Sequence, residues 1–233
     1  LVVTLLKQLM DVSINCFNKV TTKLYAANLE IPVVPFIRAT NNGNSLNTLI
    51  ESLISFYHDN NQHLFIKASK QGSSIGCFEV KSERDIEKAL QECSKYGQEI
   101  LIEKAVSGRE LEVATFEYKN KLIISKPGEV LTSGEFYNFD KKYSNSSTIK
   151  TTLAPEIDPS IQNQLEKISK ELFISMGLKD LSRIDFFLEN KTNKIYLNEI
   201  NTFPGMTPIS LFPKLMESSG VKFEHFLEDR VLR

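Results

Sequence analysis

Three oxygen-bearing side chains stand out in the stretch "RIDFFLENKTNKIYLNEIN", residues 183 to 201. Asp185 lies inside one apolar run, and Glu199 and Asn201 close another. The two runs are joined by "NKTNK", a turn sequence, so they predict an antiparallel hairpin. Glu199 and Asn201 are two residues apart and share a face. With the hairpin centred near Thr192, Asp185 pairs close to Glu199. Three hard oxygen donors then converge, as a magnesium site requires: few protein carboxylates, with the remaining positions left to water and phosphate. The alternative is a set of sheet charges paired with Arg183 and a lysine, and spacing alone leaves both open.

Phosphate chemistry also needs cations and a close backbone. Lys67 ends the apolar strand "HLFIKA", and the loop "SKQGSSIG" (69–76) follows it. Such a loop can turn backbone N–H groups toward phosphate. The order G-x-x-x-x-G-K-[ST] is absent, so it is not a Walker loop. Lysine is almost never buried without a partner, which makes Lys67 hard to explain as packing.

The chain has 233 residues and a net charge of −1, with 41% hydrophobic and 24% charged residues. That fits one large domain or two small ones and gives no reason to expect nucleic-acid or membrane binding. Cys16, Cys77 and Cys93 show no CxxC spacing and read as reduced thiols of a cytoplasmic protein. "LVVTLLKQLM" is too short for a signal peptide or a span.

The elements that must position these residues are legible in outline. Residues 1–30 carry helical periodicity, broken by the prolines of "IPVVPF". Helices are expected over 45–59, with Ser45 as N-cap, and over 82–96, opened by a capping box of Ser82 and Asp85. Strands are expected at 63–68, 77–80, 99–106, 110–118 and 121–127. Residues 128–147 read as a long polar loop. The helix at 158–177 has Ile161, Leu165, Ile168 and Leu172 on one face, Pro159 in its first turn and Gly177 at its end. Two helices close the chain. The mixture of helices and hairpin-forming strands predicts an α+β protein with two sheets.

The words "NKVTTK", "FIKASKQGSSIG", "LIEKAVSGRELEV", "GEFYNFDKKY", "SRIDFF" and "LNEINTFPGMTPISL" occur in this order. In them the chain resembles the D-alanine–D-alanine ligases of the ATP-grasp superfamily. The resemblance implies two α+β subdomains with the nucleotide between their sheets. The implied division is a lead-in at 1–30, a small subdomain at 31–106 and a large one at 107–233 with a mobile loop at 128–147. Lys23 and Lys67 would contact ATP phosphates, with Ser73 and Ser74 in the loop above. Glu103 would accept from the adenine amine, the Lys104 and Val106 backbones would bind the adenine edge, and Glu110 would hold the ribose. Lys142 and Tyr143 would belong to the closing loop. Asp185, Glu199 and Asn201 would hold two Mg2+ ions, with Mn2+ as a substitute. Arg183 and the Gly205 backbone would stabilise the transferred phosphate and the tetrahedral intermediate, and Ser210 would bind the second D-alanine's carboxylate.

The implied reaction joins two D-alanines through an acyl phosphate, for peptidoglycan precursors, with a homodimer among the expected assemblies. A ligase using D-lactate or D-serine, or a non-catalytic nucleotide-binding fragment, are the alternatives. Departures from the family pattern are Ala68 in place of proline, Gln71 in place of an acid and Phe139 in place of tyrosine. The family's N-terminal domain, which supplies a glutamate for the first D-alanine's ammonium, has no counterpart here. The residues therefore imply ATP and magnesium binding with poor ligation by the 233-residue chain alone, and an apolar face exposed near residues 1–20.

Overall fold

A computed structural model describes residues 8–40, 46–131, 150–153, 155–207 and 209–231. The predicted helical lead-in is two helices, α1 (Met10–Phe17) and α2 (Lys19–Asn28). Asn18 separates them. Its extended backbone ends α1, and its side chain accepts from Val20 N and Thr21 N to cap α2.

The small sheet has the order β1-β4-β2-β3, all antiparallel. Its strands are β1 (Phe36–Thr40), β2 (Leu64–Ala68), β3 (Cys77–Val80) and β4 (Glu99–Lys104). Leu64, Ile66 and Ala68 alternate inward with Ile100 and Ile102, against α3 (Leu46–Asp59) and α4 (Ile86–Ser94). Strand alternation then turns Phe65, Lys67 and Glu103 to the opposite face. Ser45 lies outside the described residues. The expected capping box is absent, because Glu83–Asp85 forms a 3-10 turn and Asp85 N donates to Ser82 O, the bond a side-chain cap would replace.

The large sheet runs β10-β9-β5-β7-β8, with β6 on β5. Its strands are β5 (Gly108–Tyr118), β6 (Lys121–Ile124), β7 (Gly128–Leu131), β8 (Lys150–Thr152), β9 (Leu181–Glu189) and β10 (Ile195–Asn201). The expectation of a loop from 128 onward is corrected at its start, where β7 pairs with β5 and β8. The edge of β5 needs partners there, and Arg109 grips Glu129 through two 2.7 Å bonds. The rest of that segment, 132–149, lies outside the described residues.

One face of the large sheet packs Leu111, Val113, Ile184, Phe186 and Leu197 against α5 (Pro159–Ser175) and α1. Asp158 caps α5, and Gly177 follows it at φ +70°, a conformation that suits glycine. The other face is covered at one end by α6 (Leu211–Ser218) and α7 (Phe223–Val231), over Ala114, Phe116 and Leu181. The remainder of that face holds the polar residues described next. Around α1, Met10, Ile14 and Phe17 are exposed. Among the described residues no helix is long and apolar enough to cross a membrane.

Candidate active site between the two sheets

The hairpin pairs Asp185 with Glu199 and Arg183 with Asn201. The register shifts between Leu197 and Glu199, so Asn198 is an extra residue in β10. Leu197 stays in the core, while Glu199 and Asn201 turn to the other face. On the other side β5 sets Glu112 opposite Asp185 and Ala114 opposite Arg183. The result is a row of three carboxylates, Glu112, Asp185 and Glu199, across three adjacent strands.

The protein's own cations grip this row. Arg183 donates from Nε and Nη2 to the two oxygens of Asp185, each at 2.7 Å. Its Nε lies 3.3 Å from Glu112 Oε2. Lys19 Nζ lies 3.6 Å from Glu199 Oε2. Asn201 Nδ2 donates to Asp185 Oδ2 at 2.9 Å and to Glu199 Oε1 at 3.4 Å. Burial, opposed by Arg183, raises Asp185 to about 6. Burial and the neighbouring Asp185 raise Glu112 to about 8. Glu199 stays below the usual carboxylate range because Lys19 and Arg183 outweigh its burial.

Both readings of the hairpin acids thus meet in one place. Asp185 and Glu199 are paired with Arg183 and a lysine, and they remain hard oxygen donors beside the Asn201 amide. Among the described residues no three His, Cys, Asp or Glu side chains close on a point as ligands. The donor set still fits magnesium, which takes few protein oxygens and keeps water and phosphate in its remaining positions. A buried carboxylate pushed upward is also one short of positive charge.

Facing the row is a second cluster. Glu103 is 2% exposed and takes Lys23 Nζ on Oε1 and Lys67 Nζ on Oε2, both at 2.6 Å. Lys67 reaches it diagonally across the β2–β4 ladder, where Phe65 pairs with Glu103 and Lys67 with Leu101. Burial alone would raise Glu103; the two lysines reverse that and hold it at about 2. Lys67 is held above the ordinary lysine value, since Glu103 outweighs its burial. For Lys23 burial wins and the direction is downward. Lys23 Nζ also donates to Leu197 O at 3.3 Å, and Lys67 Nζ lies 6.0 Å from the Phe187 ring of β9. The lysines therefore span the gap between the sheets.

Glu103, expected at the adenine amine, serves here as the counter-ion of both lysines. The next residue of the strand offers a backbone acceptor. Lys104 N donates to Pro35 O at 3.1 Å. Proline has no N–H to return, which leaves the Lys104 carbonyl without a donor from that strand. Val106 follows two residues later, and Glu110 is exposed on β5. Ser73 and Ser74, in the connection between β2 and β3, adopt φ of +53° and +62°, conformations uncommon for serine. Gly205 has Ser210 Oγ within 2.8 Å of where a Cβ would stand, and Ser210 shares a 2.8 Å bond with Thr207. Lys142 and Tyr143 lie outside the described residues.

Sequence reasoning missed Glu112 and Lys19. Glu112 is two residues beyond Glu110 in a strand, so alternation alone puts them on one face. Lys19 is four residues before Lys23 in a helix, which stacks the two.

Two antiparallel sheets, each backed by helices, with a charged cleft between them define the class of fold to which the chain belongs. The chain belongs to the D-ala D-ala ligase C-terminus family, whose pattern matches residues 25–232. It is 45% identical over 223 residues to a D-alanine–D-alanine ligase of Vibrio parahaemolyticus, covering 94% of this chain and 66% of that protein. A second D-alanine–D-alanine ligase, from Aliivibrio fischeri, is 46% identical over 222 residues, with the same coverages. The crystal structure of D-alanyl-alanine synthetase A from Vibrio cholerae superposes with a TM-score of 0.86 at 41% identity, over 95% of this chain and 66% of that one. The chain thus spans about 66% of the length of these relatives.

Proposed function

We propose that this chain forms the ATP- and magnesium-handling part of a cytoplasmic ligase that joins two D-alanines for peptidoglycan precursors. The observation that carries the reading is the opposition of two buried lysines on Glu103 to the Glu112–Asp185–Glu199 row. Phosphoryl transfer needs positioning and charge neutralisation more than covalent help, and that is what this cleft offers.

In this reading Lys23 and Lys67 bind ATP phosphates beneath Ser73 and Ser74. Glu103 accepts from the adenine amine, the Lys104 and Val106 backbones take the adenine edge, and Glu110 takes the ribose. Asp185, Glu199 and Asn201 hold two Mg2+ ions, or Mn2+ in their place, which when bound neutralise phosphate charge. Arg183 and the Gly205 N–H face the oxyanion that develops at the acyl group. The carboxylate of the first D-alanine takes the γ-phosphoryl group of ATP and releases ADP; Ser210 receives the carboxylate of the second, whose neutral amine attacks the acyl carbon, forming the peptide bond as inorganic phosphate leaves. Lys142 and Tyr143 close the site against water. The exposed Met10, Ile14 and Phe17 suit a homodimer or a further domain packed on α1.

The test is phosphate release from ATP by the full-length protein, with D-alanine and D-lactate supplied in equal amounts. Release that depends on D-alanine, with dipeptide as the main product, is the expected result. Mainly depsipeptide would overturn the acceptor, and release indifferent to D-alanine would overturn the ligase.

A further inference from the structure

Among the described residues, the cation that meets Glu112 is Arg183, which it shares with Asp185. The Glu112 side chain is 13% exposed, and its Oε2 is buried without a hydrogen bond. The nearest cation is Arg183, whose Nε lies 3.3 Å away but points along its bond to Asp185. Arg183 meanwhile spends both donors on Asp185 in a fork. Its partner across the ladder on β5 is Ala114, two residues along the same strand from Glu112.

This arrangement is complete only if Arg183 has two stations. A cation on Asp185 removes the acceptor of both Arg183 bonds. A guanidinium so released can turn to the reacting phosphate, and a second carboxylate beside it fixes the direction from which it does so. Glu112 offers an unbonded oxygen within a short swing. We propose that Glu112 is a positioning residue, the anchor onto which the Arg183 guanidinium moves when a cation takes Asp185. It holds Arg183 over the reacting phosphate while Asp185 is engaged elsewhere. The inference rests on the ligase reading, since it needs a cation at Asp185. It also explains why two carboxylates stand side by side in a half-apolar sheet: one serves the metal and the other keeps the arginine.

The test uses the full-length protein with Glu112→Gln, Glu112→Asp, Arg183→Lys and the Glu112→Gln/Arg183→Lys pair. Glu112→Gln is expected to lower kcat by about tenfold or more, the usual cost of losing an outer-shell partner, with KM for ATP within about twofold. Glu112→Asp should restore part of that loss. The double variant should be no slower than Arg183→Lys alone, because both changes remove one function. Melting temperature should hold or rise in Glu112→Gln, since a crowded buried carboxylate is gone. The Arg183 Nε–H resonance gives a readout apart from turnover. On saturation with Mg·ATP it should stay protected from exchange in wild type and lose protection in Glu112→Gln. Wild-type kcat in Glu112→Gln, multiplicative loss in the double variant, or retained protection would each overturn the proposal. A wild type that binds no Mg·ATP would overturn the ligase reading itself, a distinct result.

Discussion

Leu197 and Glu199 are two residues apart in β10, yet they face opposite sides of the large sheet, because Asn198 bulges between them. Alternation without the bulge would bury Glu199 beside Leu197. Deleting Asn198 should therefore leave Glu199 and Asn201 on the site face, because it makes Glu199 the residue directly after Leu197 in plain alternation. The cost should be about 1–3 kcal/mol, the ordinary range for a single change. Soluble yield and thermal melting would report it, and a chain that no longer folds would contradict this account of the bulge.

The metal reading is sharpest at Asp185 and Glu199. Asp185→Asn or Glu199→Gln should reduce D-alanine-dependent phosphate release by about a hundredfold or more and weaken Mg·ATP binding. The fold should persist, since each change keeps shape and relieves crowding among buried acids. Calorimetric titration with Mg·ATP and circular dichroism separate the two effects. Near-normal turnover in either variant would remove these residues from the site.

Glu103→Gln should destabilise the protein by about 3–5 kcal/mol, because two buried ammonium groups lose their counter-charge. Adding Lys23→Met should recover part of that. The same pair sets a pH dependence. Glu103 is held at about 2 against an ordinary value of 4.5. Its contribution to stability is fully present above about pH 4.5 and disappears as pH falls toward 2. Denaturant midpoints measured from pH 6 to pH 2.5 should fall for wild type and be flatter for Glu103→Gln.

Gly205→Ala would bring a methyl group to 2.8 Å from Ser210 Oγ, closer than such contacts allow. Ser210 must then turn from its bond with Thr207. In the proposed function this raises KM for the second D-alanine by about tenfold, roughly 1.4 kcal/mol. Mg·ATP binding should be untouched. Kinetics at saturating ATP with varied D-alanine would show the split.

Much of this site was legible in the sequence because its signals are local. Asp185, Glu199 and Asn201 interrupt apolar runs, and a turn between the runs fixes their approximate register. Lys67 was visible as a charge where packing offered no reason for one. What escaped depends on partners distant in sequence. Nothing near Glu103 shows that a lysine 80 positions earlier will share its carboxylate with Lys67. Strand β7 is too short and polar to show a strand pattern, and it forms because β5 has an open edge. The 3-10 turn at Glu83–Asp85 and the bulge at Asn198 are decided by backbone geometry that residue type barely records.

Asn18 has a mechanical consequence. Besides capping α2, it receives the Ser69 hydroxyl at 2.5 Å and donates to Glu99 at 2.7 Å, and Lys19 N donates to Ser69 O. The other end of the connection is Lys23 on Leu197 O and the packing of Ala26 into the large sheet's core. Helix α2 is thus bolted to both halves and acts as a strut at one corner of the cleft. A strut resists stretching but permits turning, so motion of one sheet against the other becomes rotation about α2, with the greatest travel at the corner farthest from it.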